Sequence, residues 1–229
     1  MAQHIGIVAC SAEGAALCYR TICAAARDVM GEHAHPEITM HTHPLADYML
    51  GIRSGDWAAV AELMLSSARK VASVGADFAV CPDNTIHQAF DLVVERSPIP
   101  WLHIARVVAA EAAGRGYARI GILGTRYLTE GPVYPDALAL YGIGFERPGP
   151  ADRKRVDGII FDELVYGVTT DESRAYVNDL IGRLATEGAD AVVLGCTELP
   201  LLVRPEESPL PTLDSTRLLA RAALARALE

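Results

Sequence analysis

Gly188-Ala189-Asp190-Ala191-Val192-Val193-Leu194-Gly195-Cys196-Thr197-Glu198-Leu199-Pro200 is the stretch from which this chain is best read. Its apolar run, Ala191 to Leu194, stops at a glycine, a cysteine and two polar side chains. A buried parallel strand that delivers reactive groups at its carboxyl end has this pattern. An earlier stretch, Gly75-Ala76-Asp77-Phe78-Ala79-Val80-Cys81-Pro82-Asp83-Asn84-Thr85-Ile86-His87, opens with the same phrase. Superposing the two Gly-Ala-Asp tripeptides puts Asp83 on Cys196, Asn84 on Thr197 and Thr85 on Glu198. The nearby thiol, Cys81, does not fall on Cys196.

A second pair of phrases repeats in the same order. Ile5-Gly6-Ile7-Val8-Ala9-Cys10 resembles Ile120-Gly121-Ile122-Leu123-Gly124-Thr125, 115 residues later, and the Gly-Ala-Asp strands are 113 apart. Two ordered matches at nearly one offset imply a tandem duplication. Short apolar runs alternate with helical patterns, such as the one after the capping Asp56 and the one after Asp171. That alternation predicts an α/β fold of two similar Rossmann-like lobes, each a parallel sheet with right-handed crossovers, related by pseudo-twofold symmetry. The first lobe is expected over residues 1–104 with 209–229, and the second over 105–208. Ligands of such sheets bind beyond the carboxyl ends of the strands, so an active site between the lobes would set Asp83 opposite Cys196.

Composition removes several alternatives. The 229 residues are 51% hydrophobic and 21% charged, with a net charge of −9, which disfavours nucleic acid and anionic membrane surfaces as partners. No apolar run reaches the ~18 residues that span a bilayer, and Met1-Ala2-Gln3-His4 has no signal-peptide character. A cytoplasmic location is expected. Five cysteines in such a chain read as free thiols, with Cys18 and Cys23 as small apolar helix residues. The two lysines, Lys70 and Lys154, sit among polar neighbours, which leaves a pyridoxal phosphate Schiff base without a candidate. His33, His35, His41 and His43 lack a carboxylate or thiol at zinc-like spacing, so no metal is expected. Gly6 and Gly121 do not form a dinucleotide-binding motif.

The pair Asp83 and Cys196 suits proton abstraction from one face of a carbon acid and delivery to the other. The two groups must start in opposite protonation states. A carboxyl of reference pKa ~3.9 and a thiol of ~8.5 do so at neutral pH, with Asp83 as base and Cys196 as acid. Asp83 is equally suited to cap the helix starting near Thr85. Ser11, Asn84, Thr85, Thr125, Thr197 and Glu198 stand at the same strand-to-helix turns and are the expected substrate-binding groups. Arg53 and Arg126 are the candidates to meet a substrate side-chain carboxylate. Cys81 remains a minority candidate because positions two apart on a strand share a face with Asp83.

Several of these segments resemble one known family. Leu194-Gly195-Cys196-Thr197-Glu198-Leu199-Pro200-Leu201-Leu202 is similar to the second catalytic signature of the aspartate/glutamate racemase family. Asn84-Thr85-Ile86-His87 matches the tail of its first cysteine signature, and Gly55-Asp56-Trp57 its second-loop segment. Leu123 to Gly131 and Phe161 to Gly167, followed by Glu172-Ser173-Arg174, resemble further family stretches. The resemblance implies an isomerase that racemises amino acids without a cofactor, by two-base proton transfer at the α-carbon, and commonly a homodimer. The family normally carries Cys where this chain has Asp83. Relatives with a single cysteine include decarboxylases of malonate derivatives, which protonate a carbanion from one face. The reading is therefore an amino-acid racemase. The alternatives are a decarboxylase or lyase that uses Cys196 on a malonate-type acid, and a non-catalytic binder of small amino or carboxylic acids.

Overall fold

The computed structural model describes residues 2–229. Its first half runs β1 (Ile5–Ala9), α1 (Ala12–Met30), β2 (Ile38–Thr42), α2 (Leu45–Ser54), α3 (Trp57–Ser73), β3 (Phe78–Val80), α4 (Phe90–Val94), β4 (Trp101–Leu102) and α5 (Ile104–Gly114). The second half runs β5 (Arg119–Leu123), α6 (Arg126–Thr129), α7 (Val133–Ala139), β6 (Gly144–Glu146), α8 (Pro150–Gly158), α9 (Asp171–Thr186), β7 (Ala191–Leu194), α10 (Leu199–Leu202), β8 (Thr212–Asp214) and α11 (Ser215–Ala227). Among the described residues the strands form two four-stranded sheets, ordered β2-β1-β3-β4 and β6-β5-β7-β8, and all the pairings are parallel. The two orders are the same pattern, so the fold is α/β with two similarly built sheets.

The repeated Gly-Ala-Asp phrase does one structural job twice. Gly75 and Gly188 follow the ends of α3 and α9 with φ of 99° and 96°, a region where a side chain is strained. The aspartate then reaches back to the start of the neighbouring strand. Asp77 Oδ2 accepts from the amide of His4 at 2.6 Å, and Asp190 Oδ2 from the amides of Ala118 and Arg119 at 2.7 and 2.9 Å. The glycine at the second position of each first strand is also used alike. A Cβ on Gly6 would lie 2.7 Å from a Val71 methyl of α3, and one on Gly121 3.0 Å from a Leu184 methyl of α9. Each sheet thus seats the helix that precedes its Gly-Ala-Asp strand.

The chain divides into two compact units. The residues up to Val107 join Thr216–Glu229 in one, and Val108–Ser215 form the other. In the first, Ile5, Ile7, Phe78 and Val80 of the sheet pack with Cys18 and Ile22 of α1 and with Leu219 and Ala220 of α11. In the second, Leu123, Val192 and Leu194 pack with Ile181 and Leu184 of α9 and with Leu199 and Leu202 of α10. Truncating one such leucine to alanine costs ~2–5 kcal/mol in a well-packed core.

Several details differ from the sequence expectation. The second unit extends past 208 to Ser215, because Thr212–Asp214 hydrogen-bonds along β7 as the outer strand of that sheet. The helix expected from Thr85 to Glu95 is a 3₁₀ turn, Thr85–Ala89, followed by the short α4. The segment Asp157 to Gly167 agrees with its reading as a helix and its exit: α8 ends there and continues as a π-helical turn over Ile159–Glu163 and a 3₁₀ turn closed by Gly167. Helix α2 had no counterpart in the sequence reading. Among the described residues no helix is long and apolar enough to cross a membrane.

Candidate functional site

The turn after β3 carries Cys81, Pro82, Asp83 and Asn84. Asp83 is half-buried, and its Oδ1 accepts from the Ile86 amide at 3.2 Å, so its carboxylate caps the 3₁₀ turn. Its carbonyl is held as well. His87 Nδ1 lies 2.7 Å from Asp83 O, and His87 Nε2 accepts from the Ile104 amide at 3.3 Å. These partners assign the imidazole proton to Nδ1. The ring is buried, stacks on Phe90 and meets His103 edge-on, with centroids 4.7 Å apart. Burial, reinforced by the nearby Arg106 charge, lowers the His87 pKa to about 4. His103 is lowered to about 2 by burial, by His87 and by Arg106, while its Nδ1 accepts from the Arg106 amide at 3.3 Å. A pair of neutral imidazoles therefore ties the Asp83 backbone to the start of α5.

The neighbouring thiols are buried. Cys81 is 0% exposed, and burial, followed by the Asp83 charge, pushes its thiol well above the usual range. Cys10, at the end of β1, is 2% exposed. Asn84 is buried, and Thr85, half-buried, opens the 3₁₀ turn. Ser11 Oγ accepts from the Gly14 amide at 3.2 Å and caps α1. Arg53 is exposed in the last turn of α2, where a cation complements the helix dipole without any ligand.

The turn after β7 is built differently. Gly195 leaves the strand with its amide 2.8 Å from Leu123 O, and a Cβ there would lie 2.8 Å from that oxygen and against a Leu128 methyl. Only glycine fits, and the close approach of the two strand ends sets the direction of Cys196. The Cys196 thiol, half-buried, donates to Glu198 Oε2 at 2.9 Å. The Thr197 hydroxyl donates to the same oxygen at 2.8 Å. Glu198 is 7% exposed, so the carboxylate expected to contact substrate is engaged with its own neighbours.

Thr125 follows β5 as Ser11 follows β1, yet the two hydroxyls differ. Thr125 occupies the N-cap position of α6 without capping it. Its buried hydroxyl has no hydrogen-bond partner among the described residues. An unsatisfied buried hydroxyl costs ~1–3 kcal/mol, and a bound oxygen anion would satisfy it. Arg126 is exposed, with its guanidinium on Tyr127 and beside Asp157.

The histidines of the β2 edge are also accounted for. His41 and His43 sit 2.9 and 3.1 Å from the hydroxyls of Ser67 and Ser66 on α3. Among the described residues no group of three or more His, Cys, Asp or Glu side chains is placed to hold a metal ion. A residue not singled out in the sequence is Tyr48 of α2, fully buried, with a hydroxyl that has no hydrogen-bond partner among the described residues. Its signal was the buried spacing Tyr48, Gly51, Ile52, closed by Gly55 at φ 74°.

Comparison with known proteins gives a consistent picture. The family model described as Asp/Glu/Hydantoin racemase matches residues 5–223. A solved structure of a provisionally assigned Asp/Glu racemase from Yersinia pestis is 30% identical, with a TM-score of 0.92 over 99% of this chain and 100% of that one. A solved aspartate racemase homologue from Pyrococcus horikoshii OT3 covers both chains fully, with a TM-score of 0.87 at 24% identity, a level that speaks to the fold alone. Among curated proteins, an uncharacterised protein from the pnlA 3′ region of Pectobacterium carotovorum subsp. carotovorum is 32% identical over 103 residues. That match spans 43% of this chain and 65% of the relative's length.

Proposed function

This chain belongs to the Asp/Glu/Hydantoin racemase family, and from that premise we propose that it is a pyridoxal-phosphate-independent amino-acid racemase with Asp83 and Cys196 as its two acid–base groups. One observation carries the reading. Asp83 and Cys196 each stand six residues after an aspartate that pins the adjacent strand, at the end of the corresponding strand of two sheets with one strand order. In one direction the Asp83 carboxylate takes the α-proton, and the electron pair left on carbon delocalises into the substrate carboxylate. The Cys196 thiol then gives its proton to the opposite face, leaving a thiolate and a carboxylic acid. The reverse direction exchanges the roles. Glu198 supports the assignment, because its carboxylate beside sulfur gives the thiol proton a defined acceptor. The hydroxyl of Thr125 would meet the substrate carboxylate as charge grows there.

Single enantiomers incubated in D₂O test the proposal directly. Incorporation of α-deuterium together with loss of optical rotation is expected for at least one amino acid. Neither change across acidic and neutral amino acids, with folded protein, would rule it out. A second reading has its own support in the burial of Cys10 and Cys81, which leaves the first unit's turn with a carboxyl rather than a thiol. In it, a malonate-type acid loses CO₂, the electron pair of the broken C–C bond stays on carbon, and Cys196 protonates that carbon from one face. Release of CO₂ from substituted malonates would favour it. A homodimer in the cytoplasm belongs to the same proposal, and light scattering on the purified protein checks the dimer.

A further inference from the structure

A buried hydroxyl without a partner is costly, and a fold that keeps one has a use for it. Tyr48 is 0% exposed, and its hydroxyl has no hydrogen-bond partner among the described residues. Its place is informative. Strands β1, β2 and β3 are parallel, with Ala9 opposite Thr42 and Ile7 opposite Val80. The turns that follow them, which hold Ser11, the start of α2 and Asp83, therefore share one edge of the sheet. The phenol is also within electrostatic reach of that edge. Burial raises its pKa most, and the electrostatic influence of Cys81, Cys10 and Asp83 raises it further. A phenol held in its protonated form is a hydrogen-bond donor and not a base.

The neighbouring side chains leave this donor uncommitted. Ser67, on α3, lies close enough to ease the phenol's ionisation, but the two do not meet in hydrogen-bond geometry. Ser67 Oγ is instead 2.9 Å from His41 Nδ1, and Lys70 Nζ is 2.9 Å from His41 Nε2. Lysine donates to Nε2, so the His41 proton resides on Nδ1 and points to Ser67. The chain Lys70, His41, Ser67 fixes the surroundings of Tyr48 without using its proton.

We infer that Tyr48 is a substrate-binding residue whose hydroxyl donates to a carboxylate oxygen of the acid held at the Asp83 turn. The inference rests on the reading of that turn as an amino- or carboxylic-acid site. A neutral donor is the chemistry this edge needs. It offsets the approach of a second carboxylate to Asp83 without neutralising Asp83 itself, as a lysine or arginine would.

The test uses the full chain, its Tyr48→Phe variant, and malonate and L-aspartate as probes, read by titration calorimetry and by the melting temperature without ligand. The expected result is a Kd weakened by about tenfold or more, with a melting temperature unchanged or raised, because the deleted group had no partner. A Kd within about twofold of the parent's overturns the inference. So does failure of the parent to bind either acid at millimolar concentration. A melting temperature that falls while Kd holds would assign the hydroxyl to folding instead. If the variant does not fold, 3-fluorotyrosine at position 48 reads the contact in the otherwise unaltered protein, and no ¹⁹F shift at malonate saturation overturns it. Tyr48-dependent binding without α-proton exchange would sink the racemase reading and leave this inference standing.

Discussion

Ser11 and Thr125 end equivalent strands, β1 and β5, yet their side chains do different work. Ser11 caps α1 through the Gly14 amide, whereas the Thr125 hydroxyl is buried and has no partner among the described residues. The next pair of turns diverges too. Asp83 lends its carboxylate to the Ile86 amide, while Cys196 and Thr197 both donate hydrogen bonds to Glu198. Where the duplicated units keep the same residue, the backbone requires it: Gly75 and Gly188 for a positive φ, Asp77 and Asp190 for the strand amides. Where the residue is released from that duty, at the strand ends, the two units differ. The contrast teaches that this scaffold fixes position and leaves chemistry open. At their reference pKa values a carboxyl and a thiol hold opposite protonation states at neutral pH.

The comparison breaks most sharply at the thiols. Cys196→Ala is expected to lower α-deuterium incorporation by about 10³-fold, the scale of a lost acid–base group, while Cys81→Ala stays within a few-fold. Equal losses from both would remove the offset between the two repeats as a guide. Asp83 separates two roles by two substitutions. Asp83→Asn retains an acceptor for Ile86 and should lose about 10²-fold or more in exchange with little change in melting temperature. Asp83→Ala should add a stability loss of ~1 kcal/mol from the missing cap. A fully active Asp83→Asn enzyme would leave the residue as a cap alone.

Acid should act through the first unit. His87 takes a proton near 6.5 when unfolded and near 4 in the fold, so between these values the unfolded state binds more protons and stability rises with pH. The full contribution is present above pH 6.5 and is lost as pH falls toward 4, by about 3 kcal/mol at most from this residue. Urea unfolding at pH 7 and pH 4 measures the difference, and His87→Gln should flatten it. A parent protein as stable at pH 4 as at pH 7 would contradict the neutral imidazole pair.

Smaller effects fall on the second unit. Glu198→Gln keeps shape and an acceptor oxygen but removes the charge beside sulfur, and a kcat lowered by about tenfold with KM nearly unchanged is expected. A change confined to KM would return Glu198 to a substrate-binding role. Thr125→Val deletes an unpartnered hydroxyl, so the melting temperature should hold or rise by the equivalent of ~1 kcal/mol while KM increases. A clear drop in melting temperature would mean that the hydroxyl has a structural partner.

The sequence by itself determined the α/β class, the duplication and the two residues at equivalent strand ends. Each of these rests on short-range constraints: a buried strand is a continuous apolar run, a helix end needs glycine, and a fixed spacing carries a side chain to a fixed place on a repeated scaffold. It also supplied Ser11 and Thr125 as a pair, but not the difference between them. Three things only the tertiary structure decided. Cys81 is fully buried, because burial depends on what packs over a strand end. Glu198 turns to the thiol instead of standing free, a choice between rotamers that spacing leaves open. Tyr48 reaches the sheet edge on a helix with a weak local signal, seated where a Cβ on Gly51 would lie 2.8 Å from a Val60 methyl of α3. Such contacts join residues through packing, and no periodicity along the chain announces them.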